Sequence, residues 1–199
     1  MKVNLTIPIP VWLDRLFTWP VMVYRKLKFG YAYRRICLGE GLWTIVDPQD
    51  YYRFGNLNWC AAGQNGTFYA LSGLRVSPNE IKLVRLHREI MKAPDGILVD
   101  HRSCYSLDNR KENLRLATHA QNMFNRPKRN LKKATSKFIG VGFDKSRGKW
   151  VARIHYQNKQ IWLGRFDSEI DAAKAYDKAA KKYHKDFARL NLPEDASPS

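Results

Sequence analysis

Short apolar runs rich in aromatic and β-branched residues recur between residues 31 and 90. Turn-forming groups such as Gly63-Gln64-Asn65-Gly66 separate these runs, which predicts a meander of antiparallel strands. The runs cover residues 32–38, 42–47, 67–76 and 81–90. Leu86 and Ile90 follow helical spacing, so we expect a short helix that carries His87 at the end of the last run.

A ββα element is predicted after this helix. Apolar residues at 97–99 and 114–117 predict two short strands, and a polar loop joins them. Thr118 and Gln121 have the spacing of a capping box, so a helix should begin at Thr118. Pro127 stops that helix.

Three further strands and a helix are predicted towards the C-terminus. The strand-like runs cover residues 138–143, 149–155 and 160–164, with a hairpin turn at Gln157-Asn158. Alternation directs Trp150, Ala152, Ile154, Ile161 and Leu163 inward, and Val151, Arg153, His155, Gln160 and Trp162 outward. Ser168 caps a helix whose apolar stripe is Ala172, Ala175, Tyr176, Ala179 and Tyr183. This stripe lets the helix lie close against the sheet.

The N-terminal stretch of residues 11–28 is apolar and aromatic, with basic residues gathered at its end. Pro20 interrupts it, so we expect two short helical pieces. The stretch either packs on the following domain as an arm or docks on a membrane or nucleic acid as a basic amphipathic segment. Prolines and charged residues break the apolar pattern before residue 16, too early for a signal peptide or a spanning helix.

The charge of the chain favours a polyanionic partner, and nucleic acid is the first candidate. The 35 Lys and Arg residues against 18 Asp and Glu give a formal net charge of +17. Residues 126–165 hold twelve basic residues and one acid, Asp144, a net of +11. A solvated face normally mixes both signs, so this segment is expected to bind a polyanion. Composition alone also allows a ribosomal, membrane-surface or merely basic protein.

The three cysteines, Cys37, Cys60 and Cys104, are odd in number and widely spaced. They contain no C-x-x-C pair, which argues against a zinc ligand set and a secreted disulfide framework. We expect them to be small buried apolar side chains in a reducing compartment, which indicates a cytoplasmic location.

The motifs VDHR, DNR, NLR and T-x-x-x-N occur in this order in VDHRSCYSLDNRKENLRLATHAQN. This ordered set resembles the HNH nucleases, specifically their homing-endonuclease branch. The resemblance covers about residues 31–125, with the specific motifs between His87 and Asn122. It implies a metal-dependent endonuclease that hydrolyses phosphodiester bonds in double-stranded DNA, carried by a phage, a mobile element or a nucleoid-associated system.

A second resemblance lies in GVGFDKSRGKWVARI, IWLGRFDS, DAAKAYDKAA and ARLNLP. These segments are similar to the plant ethylene-response-factor type (Apetala-two-like) of DNA-binding domain over roughly residues 136–193. Such domains also occur as recognition modules behind HNH nucleases. The two resemblances are independent and imply the same substrate, duplex DNA.

Hydrolysis of a phosphodiester needs a base that activates water and a charge that stabilises the transition state. His101 is expected to be the general base, because an imidazole titrates near neutral pH. Asp100 and Asn122 supply oxygen ligands for a divalent cation, with Mg²⁺ expected and Mn²⁺ as a substitute. The resemblance assigns Asn113 to orienting the base histidine through its backbone.

Other polar residues near this site receive supporting roles. The resemblance places His87 on the helix before the site, where we expect it to be structural or to contact phosphate. Asp108 and Asn109 are expected to brace the polar loop through bonds to the backbone. Arg110 either braces this loop or contacts phosphate.

The expected DNA-binding residues lie on the last three strands or their hairpins: Arg147, Lys149, Arg153, His155, Lys159 and Trp162. A three-stranded sheet fits the major groove, where arginine reads guanine edges and lysine holds phosphates. Trp162 keeps the residue of the plant family. Ile139, Gly142 and Asp144 stand where that family has arginines, and Arg153 and His155 replace its Glu and Arg. The target sequence of the family therefore does not transfer to this chain.

The sequence thus predicts an α+β protein. Its parts are an N-terminal arm (1–30), an HNH ββα-metal nuclease domain with N-terminal antiparallel strands (31–126), a basic linker (127–136), a three-stranded antiparallel sheet packed on one helix (137–194) and a tail (195–199). The predicted function is a homing-type endonuclease, which nicks DNA if it is monomeric. The alternative is a non-catalytic, sequence-specific DNA-binding regulator with a degenerate nuclease fold. A metal-free or RNA-directed binding protein has only the charge in its favour.

Overall fold

The computed structural model of the chain describes residues 10–64, 66–127 and 135–192. The chain divides into two compact units, Met1–Leu116 (unit 1) and Ala117–Ser199 (unit 2). Most of the predicted linker and the whole predicted tail lie outside the described residues. The division falls before the last residue of the second strand of the ββα element, whereas the predicted nuclease domain extends to residue 126.

Unit 1 begins with helix α1, Val11–Phe29, which continues through Pro20. The prediction of two short pieces is therefore wrong, because the proline removes only one main-chain donor and the turns on both sides complete the helix. Asp14 joins α1 to the rest of the unit. Its carboxylate pairs with Arg34 at 2.7 Å and accepts a hydrogen bond from the Tyr52 hydroxyl at 2.8 Å.

The predicted meander is divided into two antiparallel sheets. Strands β1 (Arg34–Cys37) and β2 (Trp43–Val46) form a hairpin, and helix α2 (Pro48–Phe54) follows it. Strands β3 (Cys60–Gln64), β4 (Thr67–Ser77) and β5 (Glu80–Arg85) form the second sheet in sequential order. The sequence pattern did not predict α2 or β3, because α2 is short and β3 contains small residues with little alternation.

The predicted helix that carries His87 is confirmed as α3, Leu86–Met91. Strands β6 (Leu98–His101) and β7 (Leu114–Ala117) pair in a two-stranded sheet, which confirms both predicted strands. A 3₁₀ turn at Lys111–Asn113 precedes β7. The core of unit 1 consists of Ile36, Leu38, Val46, Trp59, Ala70, Val84, Leu86, Ile90, Leu107 and Leu114.

The first helix of unit 2 is α4, His119–Phe124, and its capping box between Thr118 and Gln121 is confirmed. Strands β8 (Val141–Asp144), β9 (Lys149–Tyr156) and β10 (Lys159–Phe166) form an antiparallel sheet with β9 in the centre. Both turn residues, Gln157 and Asn158, have positive φ, as a tight hairpin requires. Helix α5, Glu169–His184, buries the predicted alanine stripe against this sheet.

The expected burial of the three cysteines differs from the structure. Cys37 and Cys60 are exposed and Cys104 is half-buried, so the expectation of buried cysteines is wrong. The reason for Cys37 is the alternation of β1, which turns Ile36 inward and its neighbour outward. None of the helices in the described ranges is long and apolar enough to cross a membrane.

Candidate functional site

Asp100 and His101 stand at the C-terminal end of β6, as the sequence predicts. Both side chains are largely buried, at 6% relative exposure each. The loop that follows them docks on the β1–β2 hairpin, because the Asn109 amide donates to the Ile45 carbonyl and the Ile45 amide donates to the Leu107 carbonyl. The two predicted site residues are therefore held between β7 and the hairpin of unit 1.

The His101 imidazole is oriented by a chain of buried hydrogen bonds. Its Nε2 lies 3.1 Å from Asn109 Oδ1, and Asn109 Nδ2 donates to Thr44 Oγ1 at 2.7 Å. The Thr44 hydroxyl in turn donates to the Leu107 carbonyl at 2.8 Å. This order makes Asn109 Oδ1 an acceptor, so in the neutral imidazole Nε2 carries the hydrogen and Nδ1 is the basic nitrogen.

Two aromatic rings surround the His101 imidazole within unit 1. The His87 ring lies edge-on to it with centroids 5.3 Å apart, and the Tyr69 ring lies 6.2 Å away. Burial lowers the pKa of His101, while the hydrogen bond to Asn109 opposes that effect. Burial and the neighbouring His101 lower the pKa of His87 to about 3. Both imidazoles are therefore neutral at pH 7, which is the form a general base requires.

Asp100 is engaged in a buried ion pair with Arg115. Arg115 donates from Nε and Nη2 to Asp100 Oδ2, at 2.8 Å and 2.7 Å. The guanidinium therefore occupies one oxygen of the carboxylate that the sequence assigns to a metal. The NLR motif contains this arginine, but its pairing with Asp100 was not predicted.

Asn113 acts on the loop backbone beyond His101. Its Oδ1 accepts from the Ser103 amide at 2.9 Å, and its Nδ2 donates to the Asp108 carbonyl at 2.7 Å. Its own carbonyl accepts from the Arg102 amide at 2.8 Å. Sequence reasoning missed Asn109 as the side chain that contacts the imidazole. The DNR motif, which contains Asn109, is the signal that the sequence offers for this contact.

The DNR turn itself is braced by charge and stacking. Arg110 donates two hydrogen bonds to the carboxylate of Asp108, from Nε to Oδ1 at 2.9 Å and from Nη2 to Oδ2 at 2.7 Å. The Arg110 guanidinium also lies over the Tyr31 ring, 3.3 Å from its centroid. Asp108 Oδ1 accepts weakly from the Arg110 amide at 3.3 Å, so the predicted bracing by Asp108 is confirmed. These contacts favour the bracing role of Arg110.

The carboxylate oxygens of Asp100 are of the kind that a hard divalent cation prefers. Asp100 belongs to unit 1, and the predicted partner Asn122 lies half-buried on α4 in unit 2. Across the described parts of the chain, no three His, Cys, Asp or Glu side chains are clustered closely enough to hold a metal.

The outward face of the unit 2 sheet carries a stack of two arginines on a tryptophan. Trp162 and Arg153 are paired across β10 and β9, and the guanidinium lies 5.3 Å from the indole centroid. The Arg165 guanidinium lies over the same indole at 4.8 Å. Regular alternation would turn Arg165 away from Trp162. A bulge between Trp162 and Gly164, where Gly164 has φ +132°, returns Arg165 to this face.

The other predicted DNA-binding residues lie on or beside the same face. Lys149 pairs with Asp167, and Arg147 lies 3.5 Å from Asp144. His155 is exposed, and its Nε2 accepts from the side-chain Nε2 of Gln160 at 3.4 Å. Lys159 is exposed at the start of β10. Sequence reasoning missed Arg165. Gly164 is the signal for it, because a glycine inside a strand is typical of a bulge.

A groove of about 740 Å³ runs beside β8 at the edge of this face. Gly140, Gly142, Asp144 and Arg153 are among the residues that line it. Asp144 also lies 3.8 Å from Arg165, so one carboxylate contacts two basic residues, Arg147 and Arg165.

Two family models match separate parts of the chain. Residues 92–124 match an HNH endonuclease model, and residues 136–185 match an AP2 domain model. The dehydration-responsive element-binding protein 2D of Arabidopsis thaliana is 53% identical over 49 residues, which form 24% of each chain. The protein 2A of the same plant is 51% identical over 53 residues, 25% of this chain and 16% of the relative.

A rice protein, dehydration-responsive element-binding protein 2A of Oryza sativa subsp. indica, is 40% identical over 52 residues, 25% of this chain and 19% of the relative. The chain thus spans about a quarter or less of the length of these curated relatives. Over residues 92–124 the chain is similar to HNH endonucleases, and over residues 136–185 it is similar to proteins with an AP2 domain.

Proposed function

We propose that the β8–β10 sheet binds double-stranded DNA in a sequence-specific manner. The observation that carries this proposal is the Arg153–Trp162–Arg165 stack on the exposed face of the sheet. The match to an AP2 domain over residues 136–185 supports it, as does similarity to relatives named for binding a dehydration-responsive element. The net charge of +11 between residues 126 and 165 supplies the attraction to phosphate.

The stack explains how this face would read a base. An arginine that already lies against an indole loses less side-chain freedom when it forms a two-point contact with guanine. Arg153 projects from the central strand and is the best placed to read a base edge. Lys159, near the hairpin, would hold a phosphate and so contribute affinity without sequence preference.

The DNA target is expected to differ from that of the plant relatives. Where their family has arginines, this chain has Ile139, Gly142 and Asp144, and the last two of these line the groove beside β8. Asp144 is a hydrogen-bond acceptor on the same face. A carboxylate accepts from the amino group of cytosine, so it favours a different base from an arginine.

The binding proposal is tested with a duplex selected by the full chain from a randomised pool. Arg153→Ala is expected to weaken binding by about 1–3 kcal/mol, roughly 5- to 150-fold in Kd, and to relax preference at one base pair. Lys178→Ala, an exposed lysine on α5, is the matched control and should bind like the wild type. Failure of the full chain to enrich any sequence would reject the proposal.

A second candidate is cleavage of the bound DNA by unit 1. The observation that favours it is the Thr44–Asn109–His101 chain, which presents a neutral imidazole with Nδ1 as its basic nitrogen. The match of residues 92–124 to an HNH endonuclease model gives further support. In this candidate His101 removes a proton from water, and Asn113 holds the backbone beside it.

The proposed cofactor of this candidate is Mg²⁺ on the oxygen atoms of Asp100 and Asn122, with Mn²⁺ as a substitute. When bound, the cation would stabilise negative charge on the phosphate. The Arg115 guanidinium on Asp100 competes with such a cation. That ion pair favours the alternative, a DNA-binding regulator whose nuclease unit is inactive, and so does the similarity to the plant relatives.

Supercoiled-plasmid cleavage separates these two activities. The wild type and His101→Ala are compared in Mg²⁺, in Mn²⁺ and in EDTA. An endonuclease converts the plasmid only with a cation and only with His101, and a single site per chain produces nicks first. A regulator binds the selected duplex equally well in all three conditions and leaves the plasmid intact. Equal cleavage by His101→Ala would reject His101 as the base.

A further inference from the structure

The helix that carries Asn122 belongs to unit 2, although its sequence continues the nuclease motif. Helix α4 has only six residues, His119–Phe124. A helix of this length is unstable in water by itself, and its capping box satisfies only the first turn. Side-chain packing must therefore hold α4 in place.

That packing is provided by Phe124 at the C-terminal end of α4. Its ring stacks on the His184 imidazole, with centroids 3.8 Å apart and planes inclined by 5°. Tyr156 lies 6.4 Å from Phe124, and Tyr183 lies 5.3 Å from Tyr156. These four rings form an aromatic cluster that joins α4 to the sheet and α5 within unit 2.

His184 is itself held against the DNA-facing sheet. It is the last residue of α5, has 6% relative exposure and donates from Nε2 to the His155 carbonyl at 2.9 Å. His155 is on β9, two residues after Arg153. The contacts therefore run without a break from β9 through His184 and Phe124 to α4.

We propose that Phe124 and His184 are positioning residues that hold α4, and with it Asn122, on the unit 2 sheet. The effect of DNA on α4 rests on the proposed binding of DNA by β8–β10. A duplex that restrains β9 also restrains His184, and the stack transmits this restraint to α4. The position of Asn122 is then set by unit 2, and DNA bound to the sheet orders helix α4, which ends the nuclease motif.

Hydrogen exchange of the peptide that spans residues 118–125, measured in the full chain by mass spectrometry, tests the anchoring. Phe124→Ala and His184→Ala are expected to accelerate this exchange at least about tenfold, since each removes a stack and the burial it provides. Met123→Ala is the matched control on the same helix, because Met123 is 43% exposed, and it should exchange at the wild-type rate.

His184→Phe distinguishes the stack from the hydrogen bond. It keeps an aromatic ring against Phe124 but cannot donate to the His155 carbonyl, so protection of α4 should be retained to within about threefold. Wild-type protection in Phe124→Ala overturns the inference. An equal loss in Met123→Ala also overturns it, because the effect would then reflect general fraying of the helix.

The duplex selected from the randomised pool supplies the second readout. Its addition is expected to slow exchange of residues 118–125 in the wild type and in Met123→Ala, and not in Phe124→Ala at saturating duplex. Unchanged exchange in the wild type overturns the transmission to α4. A wild type that binds no duplex rejects the proposed DNA binding instead, and exchange in the free protein still decides the anchoring.

Discussion

Asn109 Oδ1 lies 3.1 Å from His101 Nε2 and fixes the direction of the imidazole that the sequence predicts as a general base. Asn113, to which the family resemblance assigns the orienting role, contacts the amide of Ser103 and the carbonyl of Asp108. The two asparagines therefore divide the task. One holds the ring and the other holds the backbone beside it.

We predict that Asn109→Ala destabilises the fold. Asn109 has 0% relative exposure, and its loss leaves buried groups on His101 and Thr44 without this partner. The expected cost is about 1–3 kcal/mol in the free energy of unfolding. Chemical denaturation provides the measurement. Asn79→Ala, in the exposed turn after β4, should change stability by less than about 0.5 kcal/mol.

Because Asp100 and Arg115 form a buried ion pair, we predict that substitutions of the two residues have strongly non-additive effects on the free energy of unfolding. Arg115→Met should destabilise unit 1 by about 3–5 kcal/mol, because it leaves a buried carboxylate without its guanidinium. Asp100→Asn in the same background should recover part of this loss. A double-mutant cycle in urea measures the coupling energy, and simple additivity of the two substitutions would contradict the prediction.

The low pKa of His87 predicts loss of stability in acid. The unfolded chain protonates this histidine near 6.5, whereas in the folded chain its pKa is about 3. Between these values the unfolded state binds more protons, so stability is present at neutral pH and falls as the pH decreases. The slope is at most about 1.4 kcal/mol per pH unit for one group.

His87→Phe isolates this contribution while it keeps a ring beside Tyr69 and His101. The loss of stability between pH 7 and pH 4 should be smaller than in the wild type by up to about 3 kcal/mol. Urea unfolding at the two pH values measures it. His119→Phe, at an exposed position on α4, should retain the wild-type difference. An unchanged acid sensitivity in His87→Phe would refute the assignment.

The bulge at Gly164 predicts that a small substitution alters both stability and DNA binding. With φ +132°, alanine is strained there at a cost of about 1–3 kcal/mol, and relief of the bulge turns Arg165 away from Trp162. Gly164→Ala should therefore unfold at lower urea and bind the selected duplex more weakly. Gly142→Ala is the control for stability, because its nearest contact would be Thr135 Oγ1 at an ordinary 3.6 Å.

A substitution of Arg165 itself separates affinity from folding. Arg165→Ala is expected to weaken duplex binding with little change in unfolding, since this side chain is exposed. If Arg165 contacts a phosphate, the slope of log K against log salt decreases by about one. If it reads a base, the slope is retained and preference at one base pair is relaxed. Wild-type affinity would exclude Arg165 from the interface.

Local sequence signals predicted the elements whose stability is local. The capping box at Thr118, the Gln157-Asn158 hairpin and the alanine stripe of α5 are all recognisable within a few residues, and all three are observed. Helix α2 and strand β3 were missed because neither has a strong periodic pattern. Pro20 does not divide α1, because a proline weakens a helix without always ending it.

The candidate sites were predictable in residue type and only partly in arrangement. The sequence alone identified Asp100 and His101 at the end of a strand, and it identified Trp162 on the outward face of a sheet. The side chains that contact these residues are either distant from them in sequence or reach them only through a bulge in a strand. Thr44 reaches the DNR turn across 65 positions, and Arg165 joins Trp162 through a bulge.

The sequence by itself determined the two motif regions, the concentration of basic charge after Arg126 and the order of strands and helices in unit 2. These features depend on composition, spacing and short-range periodicity, which are properties of the linear chain. Only the tertiary structure decided that Asn109 contacts His101, that Arg115 occupies Asp100 and that α4 stacks on His184. Each of these is a contact between side chains whose directions are set by packing, and packing has no signature in local sequence.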